Sequence, residues 1–257
     1  MCTVAAPTLT CTDTGLSAST TYTYTLEALV GSGWSSGQTA GFSATTPAPP
    51  AFTVVPATGT KTAGTAFNVT LTATTNGVTK DTTYTGAHTI VFSGPSTSPL
   101  GTAPTYPATV TFTAGVGTAS VKLVTAETAT LTATEASRTG SASVSVVAAV
   151  SNRMVWTSST PSCAAGTVSV GNGGTFTSQV TITDLYGNPV AQATAATITL
   201  TTTPANGTLT PASVSVAVGA SQSTGSFVFT RPTGDATSVT VTAAKSPLTS
   251  LTCAVGQ

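Results

Sequence analysis

The sequence predicts an all-β chain of tandem β-sandwich modules, on three observations. Apolar and hydroxyl residues alternate with period two along nearly every run, β-branched Val, Ile and Thr dominate those runs, and 24 Gly and 15 Pro separate them. Strict alternation turns one face of a strand to a core and the other to water. β-branched side chains fit a pleated surface and lose rotamer freedom in a helix, while Gly and Pro punctuate the strands. The chain has 257 residues, room for two sandwiches of about 100 residues each with roughly fifty left over.

Taken in order, the alternation places strands at Tyr22 to Leu26, Val69 to Thr72, Val110 to Thr113, Ala142 to Val146, Val180 to Thr183, Val214 to Val216 and Val239 to Thr242. No segment longer than a turn or two reads as helix. The prolines of Thr45-Thr46-Pro47-Ala48-Pro49-Pro50 lack backbone donors and favour an extended, fairly stiff connection. They set a boundary between a segment over 1–48 and a module over 49–149. A softer boundary near Ala148 to Asn152 opens a module over 150–257 at Met154-Val155-Trp156. A linker this short couples the two modules closely.

Charged residues are only 5% of the chain, 7 positive against 7 negative, where a typical domain has about 25%. The polar surface is therefore built from Thr, Ser, Asn and backbone. The cations Lys61, Lys80, Lys122, Arg138, Arg153, Arg231 and Lys245 are scattered singly, which excludes the basic stripe that nucleic acid requires. A net charge of +0 removes mutual repulsion and permits self-association. No apolar run reaches the 18 or so residues of a membrane span. The opening MCTVAAPTLTC lacks the basic and apolar regions of a secretory signal, so Met1 reads as an artificial or internal start.

Residues 12–46, with Leu16 six residues before Tyr22, resemble the second half of a fibronectin type III module. The resemblance implies that the Tyr22 hydroxyl ties a corner back to the backbone, that YTYTLEAL forms strand F, and that Phe42 to Thr46 forms strand G. The earlier strands of such a module are missing. A half-sandwich exposes an edge and an apolar face, so its remaining strands either were removed or come from another chain or a neighbouring module. Residues 51–148 resemble a bacterial immunoglobulin-like repeat through Thr62-Ala63-Gly64-Thr65-Ala66-Phe67, Tyr84-Thr85-Gly86 and His88 to Phe92. Residues 151–257 are similar to the same group through Asp184-Leu185-Tyr186-Gly187-Asn188-Pro189-Val190, read as a strand end and tight turn. The implied roles are invasin- or adhesin-type surface modules, spacers or stalks, and components of phage particles. The expected location is extracellular, on a bacterial surface or on a virion.

The four cysteines allow three pairings. Cys2 with Cys11 closes a short local loop. Cys163 and Cys253 lie near the start and end of the last module, where first and last strands run side by side in many relatives. That second bridge would stabilise by roughly 4 kcal/mol under a chain-entropy model, and persistent disulfides imply an oxidising compartment.

Catalytic, metal and cofactor sets are not expected. His88 is the only imidazole and sits at a strand entry, which favours an edge histidine over the base of a triad. Glu127 and Glu135 flank one strand at opposite ends, too far apart to serve as acid and base of one glycosidase site. Zinc lacks ligands. Calcium at Asp184 and Asn188 competes with a simpler reading, in which both residues stabilise the turn by local hydrogen bonds. Outward-facing Thr rows such as Thr21-Thr23-Thr25 and Thr199-Thr201-Thr203 are explained by ordinary strand faces, since twisted sheets give no flat ice-binding plane. Lys61 and Lys122 are candidate isopeptide donors without a motif. Trp34, in the loop Gly31-Ser32-Gly33-Trp34, is the candidate contact for a cell-surface glycan, against packing over its own hairpin.

Overall fold

The computed structural model describes residues 4, 10–31, 34–163 and 165–257, and the chain is all-β there. The N-terminal part is a small ribbon built from β1 (Thr21–Tyr24), β2 (Leu29–Val30), β3 (Trp34–Ser35) and β4 (Phe42–Thr45). β1 pairs antiparallel with β4, and β2 with β3. On one face Thr21 and Thr23 hydroxyls bond those of Thr45 at 2.8 Å and Ser43 at 2.9 Å. On the other, Tyr24 lies against Phe42 with ring centroids 5.7 Å apart. The Ser17 amide donates to the Tyr22 hydroxyl at 2.8 Å, the corner bond that the fibronectin resemblance implies. The segment before β1 lies beside this face, with the Tyr24 hydroxyl donating to Asp13 Oδ2 at 3.2 Å and Cys11, Thr12 and Leu16 lining the same hollow as Tyr24 and Phe42, while Leu26 and Phe42 stay 62% and 51% exposed.

The first sandwich comprises β5 (Ala51–Pro56), β6 (Lys61–Thr62), β7 (Ala66–Thr74), β8 (Gly86–His88), β9 (Val91–Ser93), β10 (Val110–Thr113), β11 (Val116–Lys122), β12 (Thr128–Glu135) and β13 (Arg138–Val147). One sheet has the order β5-β7-β11-β10-β8 and the facing sheet β6-β13-β12-β9. Alternation decides which side chains meet between them: Val69, Leu71 and Ala73 of β7 and Leu131 and Ala133 of β12 are fully buried, as period two requires. The β10–β11 hairpin closes through Ala114-Gly115, both at positive φ (46° and 83°), the two-residue turn whose twist matches the strands it joins.

The second sandwich repeats this plan with β14 (Arg153–Thr160), β15 (Thr167–Ser169), β16 (Thr175–Thr183), β17 (Ala196–Thr203), β18 (Thr208–Thr210), β19 (Ser213–Val216), β20 (Phe227–Thr230), β21 (Val239–Ala244) and β22 (Leu251–Gly256). Its sheets run β14-β16-β20-β18 and β15-β22-β21-β17-β19. In each sandwich the chain leaves its opening strand, crosses to the other sheet and adds a short strand parallel to the last one: β6 beside β13, β15 beside β22. That crossing covers the edge of the final strand. Phe176, Phe227 and Phe229 are fully buried, and Trp156 packs on Phe227 at 5.3 Å. The two cores are separate clusters, so each sandwich is stabilised by its own apolar burial. Both carry the layered, antiparallel architecture of immunoglobulin-like domains.

Candidate functional site

β5 starts at the pole of the first sandwich that adjoins the ribbon, so β7, running antiparallel to it, begins at the opposite pole. That opposite pole presents Gly64 ahead of β7 and the segment Leu123 to Glu127 after β11. The turn leaving β16 of the second sandwich lies directly on it. Turn residues Asp184 and Asn188 are 0% and 1% exposed, unusual burial for residue types that are mostly at the surface.

Every polar atom of these two side chains is engaged. Asp184 Oδ1 accepts from the amides of Tyr186 at 2.8 Å and Asn188 at 2.9 Å, which closes the turn on itself. Asp184 Oδ2 accepts from Asn188 Nδ2 at 2.8 Å and from the Ala149 amide in the linker at 2.9 Å. Asn188 then reaches across: its Nδ2 donates to the Val124 carbonyl at 2.8 Å, and its Oδ1 accepts from the Ala126 amide at 2.8 Å. The side chain thus pairs with the first sandwich's backbone as a neighbouring strand would. Tyr186 packs against the first sandwich's core and lies over Gly64, where any Cβ would collide with its ring; Gly64 also holds φ +80°. The Leu100 amide donates to the Tyr186 carbonyl at 3.2 Å.

The oxygens of Asp184 and Asn188 serve the turn and the joint. A carboxylate offers about four acceptor positions, and all four on Asp184 are taken by N–H donors. The Asn188 oxygen is taken by a fifth. The local turn bonds expected from the sequence are present; the bonds across the joint, to residues 62 and 64 positions away, were not foreseeable from it.

At the other pole of the first sandwich a second polar cluster forms. His88 Nδ1 meets Glu135 Oε1 at 3.0 Å and its Nε2 meets the Thr85 carbonyl at 3.1 Å. The Tyr84 hydroxyl donates to Glu135 Oε2, and the Tyr84 ring stacks on His88 at 3.9 Å. Arg138 sits 4.8 Å from the Tyr84 ring centre and pairs with buried Asp81 at 2.6 Å. A hydrogen bond from Thr83, and after it the Arg138 guanidinium, holds the Asp81 carboxyl below its ordinary range. The sequence suggested an edge or surface histidine, and His88 lies in β8, the edge strand of its sheet; the fold also brings it to Glu135 from 47 positions away. Its polar contacts are a carboxylate and a carbonyl, not a hydroxyl nucleophile. Glu127, at the far end of β12, instead caps Ser96 through that residue's amide at 2.7 Å.

The remaining candidates lie apart from one another. Trp34 is 57% exposed on the ribbon. Cys163 and Cys253 form a disulfide with Cα atoms 6.2 Å apart. Cys2 is outside the described residues, and Cys11 is itself disulfide-bonded. Lys61 is buried, with Nζ donating to the carbonyls of Ala57 at 2.5 Å and Thr58 at 2.7 Å. Among the described residues no three His, Cys, Asp or Glu side chains converge as metal ligands, and no helix is long and apolar enough to cross a membrane.

The sequence matches no protein-family model and no curated protein. Among solved structures, the Escherichia coli adhesin FdeC is similar over 80% of this chain and 64% of its own, at 16% identity and a TM-score of 0.34. The Yersinia pseudotuberculosis adhesin InvE is similar over 80% of this chain and 58% of its own, at 17% identity and the same TM-score of 0.34. Domains 4 and 5 of the S-layer protein SbsC are similar over 65% of this chain and 75% of theirs, at 17% identity and 0.27. The chain thus spans less than two thirds of the length of either adhesin. Scores this low bear no weight for function, and the fold assignment rests on the strands described above.

Proposed function

We propose that this chain is a non-enzymatic structural part of a secreted, cell-surface or virion-exposed protein, with its two immunoglobulin-like sandwiches fixed end to end as a spacer or stalk. One observation carries the reading: the most elaborate buried polar group, Asp184 with Asn188, joins one sandwich to the next instead of lining a cleft. Side chains used in this way set an angle between modules, which a spacer needs and a catalyst does not. The Cys163–Cys253 disulfide supports an oxidising, extracellular setting. The exposure of Leu26 and Phe42 on the ribbon supports completion by strands of a neighbouring copy or module, as in a fibre or shell.

Small-angle scattering tests the rod. Strands of nine residues span about 30 Å, so two sandwiches end to end with their loops reach ~70–80 Å. A side-by-side particle near 50 Å would refute the reading. Light scattering across a concentration series tests completion by a second copy: growth into oligomers is expected if another chain supplies the strands, and a monomer at all concentrations rules that source out.

A second reading, an adhesin or carbohydrate-binding accessory region, draws on the exposure of Trp34. Glycan-array binding lost on Trp34→Ala would favour it, and binding unchanged by that substitution would eliminate the Trp34 version.

A further inference from the structure

The two sandwiches leave their third strand by the same turn, which allows a residue-by-residue comparison of the two joints in the chain. In the second sandwich the Asp184 amide donates to the Asn188 carbonyl at 3.0 Å, and the Val190 amide returns to Ile182 at 3.0 Å. In the first, the Thr75 amide donates to the Thr79 carbonyl and the Asp81 amide to Ala73, each at 2.9 Å. The matching bonds put Thr75, Gly77 and Thr79 in the places of Asp184, Tyr186 and Asn188. The acid and the amide have become short hydroxyls, and the aromatic ring is gone.

The substituted turn also faces solvent. Val78 at its tip is 86% exposed, and Asn76 turns inward on its own loop, its Oδ1 accepting from the Thr79 amide at 2.7 Å and the Val78 amide at 3.2 Å. Among the described residues no hydrogen bond or ion pair links 10–50 to 51–257. The ribbon holds the chain only as far as Pro47, whose carbonyl accepts from the Ser19 amide at 3.1 Å. Beyond it, Ala48, Pro49 and Pro50 lead to β5 without a hydrogen bond among the described residues, Ala48 and Pro50 half-buried and Ala48 beside the Gly77 turn.

The far pole of the second sandwich makes the contrast sharper. Its β20 pairs with β16 in the register that β11 keeps with β7, Thr230 opposite Thr175 as Lys122 is opposite Ala66. Four residues on, Gly234 therefore corresponds to Ala126. The Ala126 amide takes Asn188 of the neighbouring sandwich, whereas the Gly234 amide donates at 2.6 Å to Asn172 of its own. The clamp is thus a property of one joint, not of the repeat.

We infer that the molecule bends at residues 48–50 and is rigid at 148–152, so that the ribbon swings on a welded two-sandwich rod and presents its apolar face over a range of angles. The prolines keep the linker itself extended and fairly stiff, so the bending falls at its two ends and the ribbon stays at a distance from the rod. The inference builds on the rod proposed above, and the two fail differently.

Residual dipolar couplings of the weakly aligned full-length, isotopically labelled chain test it. One alignment tensor is expected to fit 51–147 together with 153–256, and the ribbon residues 16–46 to need a second tensor of smaller magnitude. A ribbon that shares the sandwiches' tensor overturns the hinge and leaves the rod standing. Separate tensors for the two sandwiches overturn the weld and the rod together. In the double variant Asp184→Ser, Asn188→Ser the shared tensor should be lost. Tyr186→Ala, which leaves every turn hydrogen bond in place, provides a milder loosening should the double variant fail to fold, and a shared tensor retained in a folded double variant assigns the rigidity elsewhere.

Discussion

Substituting Asn188 by Ala probes the joint most directly, because the side chain contacts two backbone groups of the first sandwich and is 1% exposed. The substitution strands the Ala126 amide and the Val124 carbonyl and removes one donor from Asp184 Oδ2. Leaving a buried backbone group unpaired costs about 1–3 kcal/mol, and water admitted at the joint brings the total for two to about 2–4 kcal/mol. The loss falls on the joint, since the cores of the two sandwiches are separate. Amide hydrogen exchange reads it locally: protection at Ala126 should fall sharply, while core amides such as Leu131 and Ile198 keep most of theirs. Chemical unfolding in a Trp34→Phe background reads it globally, because the chain has two tryptophans and Trp156 then reports the second sandwich alone. Unchanged protection at Ala126, or a change in unfolding free energy below about 0.5 kcal/mol, the range of ordinary surface substitutions, would refute the clamp.

Gly64→Ala should destabilise the chain by about 1–2 kcal/mol from its left-handed backbone alone, and by more through collision with Tyr186; a double-mutant cycle with Tyr186→Ala should recover the excess and so measure the contact. Reducing Cys163–Cys253, which closes a separation of 90 residues, should cost the second sandwich about 4 kcal/mol by the chain-entropy model, seen as an earlier Trp156 transition with the first sandwich's core protection retained. Acid should weaken the first sandwich through Asp81. Its folded pKa lies below the ordinary 3.8, so its contribution is complete above that value and is lost as pH falls through the folded one. An acid titration should therefore be steeper for the wild type than for Asp81→Asn, and equal slopes would remove Asp81 from the account.

Much of the fold was legible because its signals are local. The expected strand at Val110 to Thr113 is β10, Val180 to Thr183 ends β16, and Val239 to Thr242 lies in β21. Period two is a property of consecutive residues, and burial follows from it once a second sheet is present. The turn at Asp184 was legible for the same reason, since an Asp accepting from amides two and four residues ahead is decided within the loop. The pairing of His88 with Glu135 was not, because it joins two strands from opposite sheets whose register the alternation leaves open.

The sequence alone determined an all-β chain, low in charge, with a buried-strand pattern that any correct register must satisfy. Tertiary structure decided what the Asp184 turn is for. Its partners across the joint are the Val124 carbonyl and the Ala126 amide, groups that every residue but proline carries alike. Side-chain identity therefore marks only one half of that contact, and which backbone completes the other half exists only once both sandwiches have folded and met.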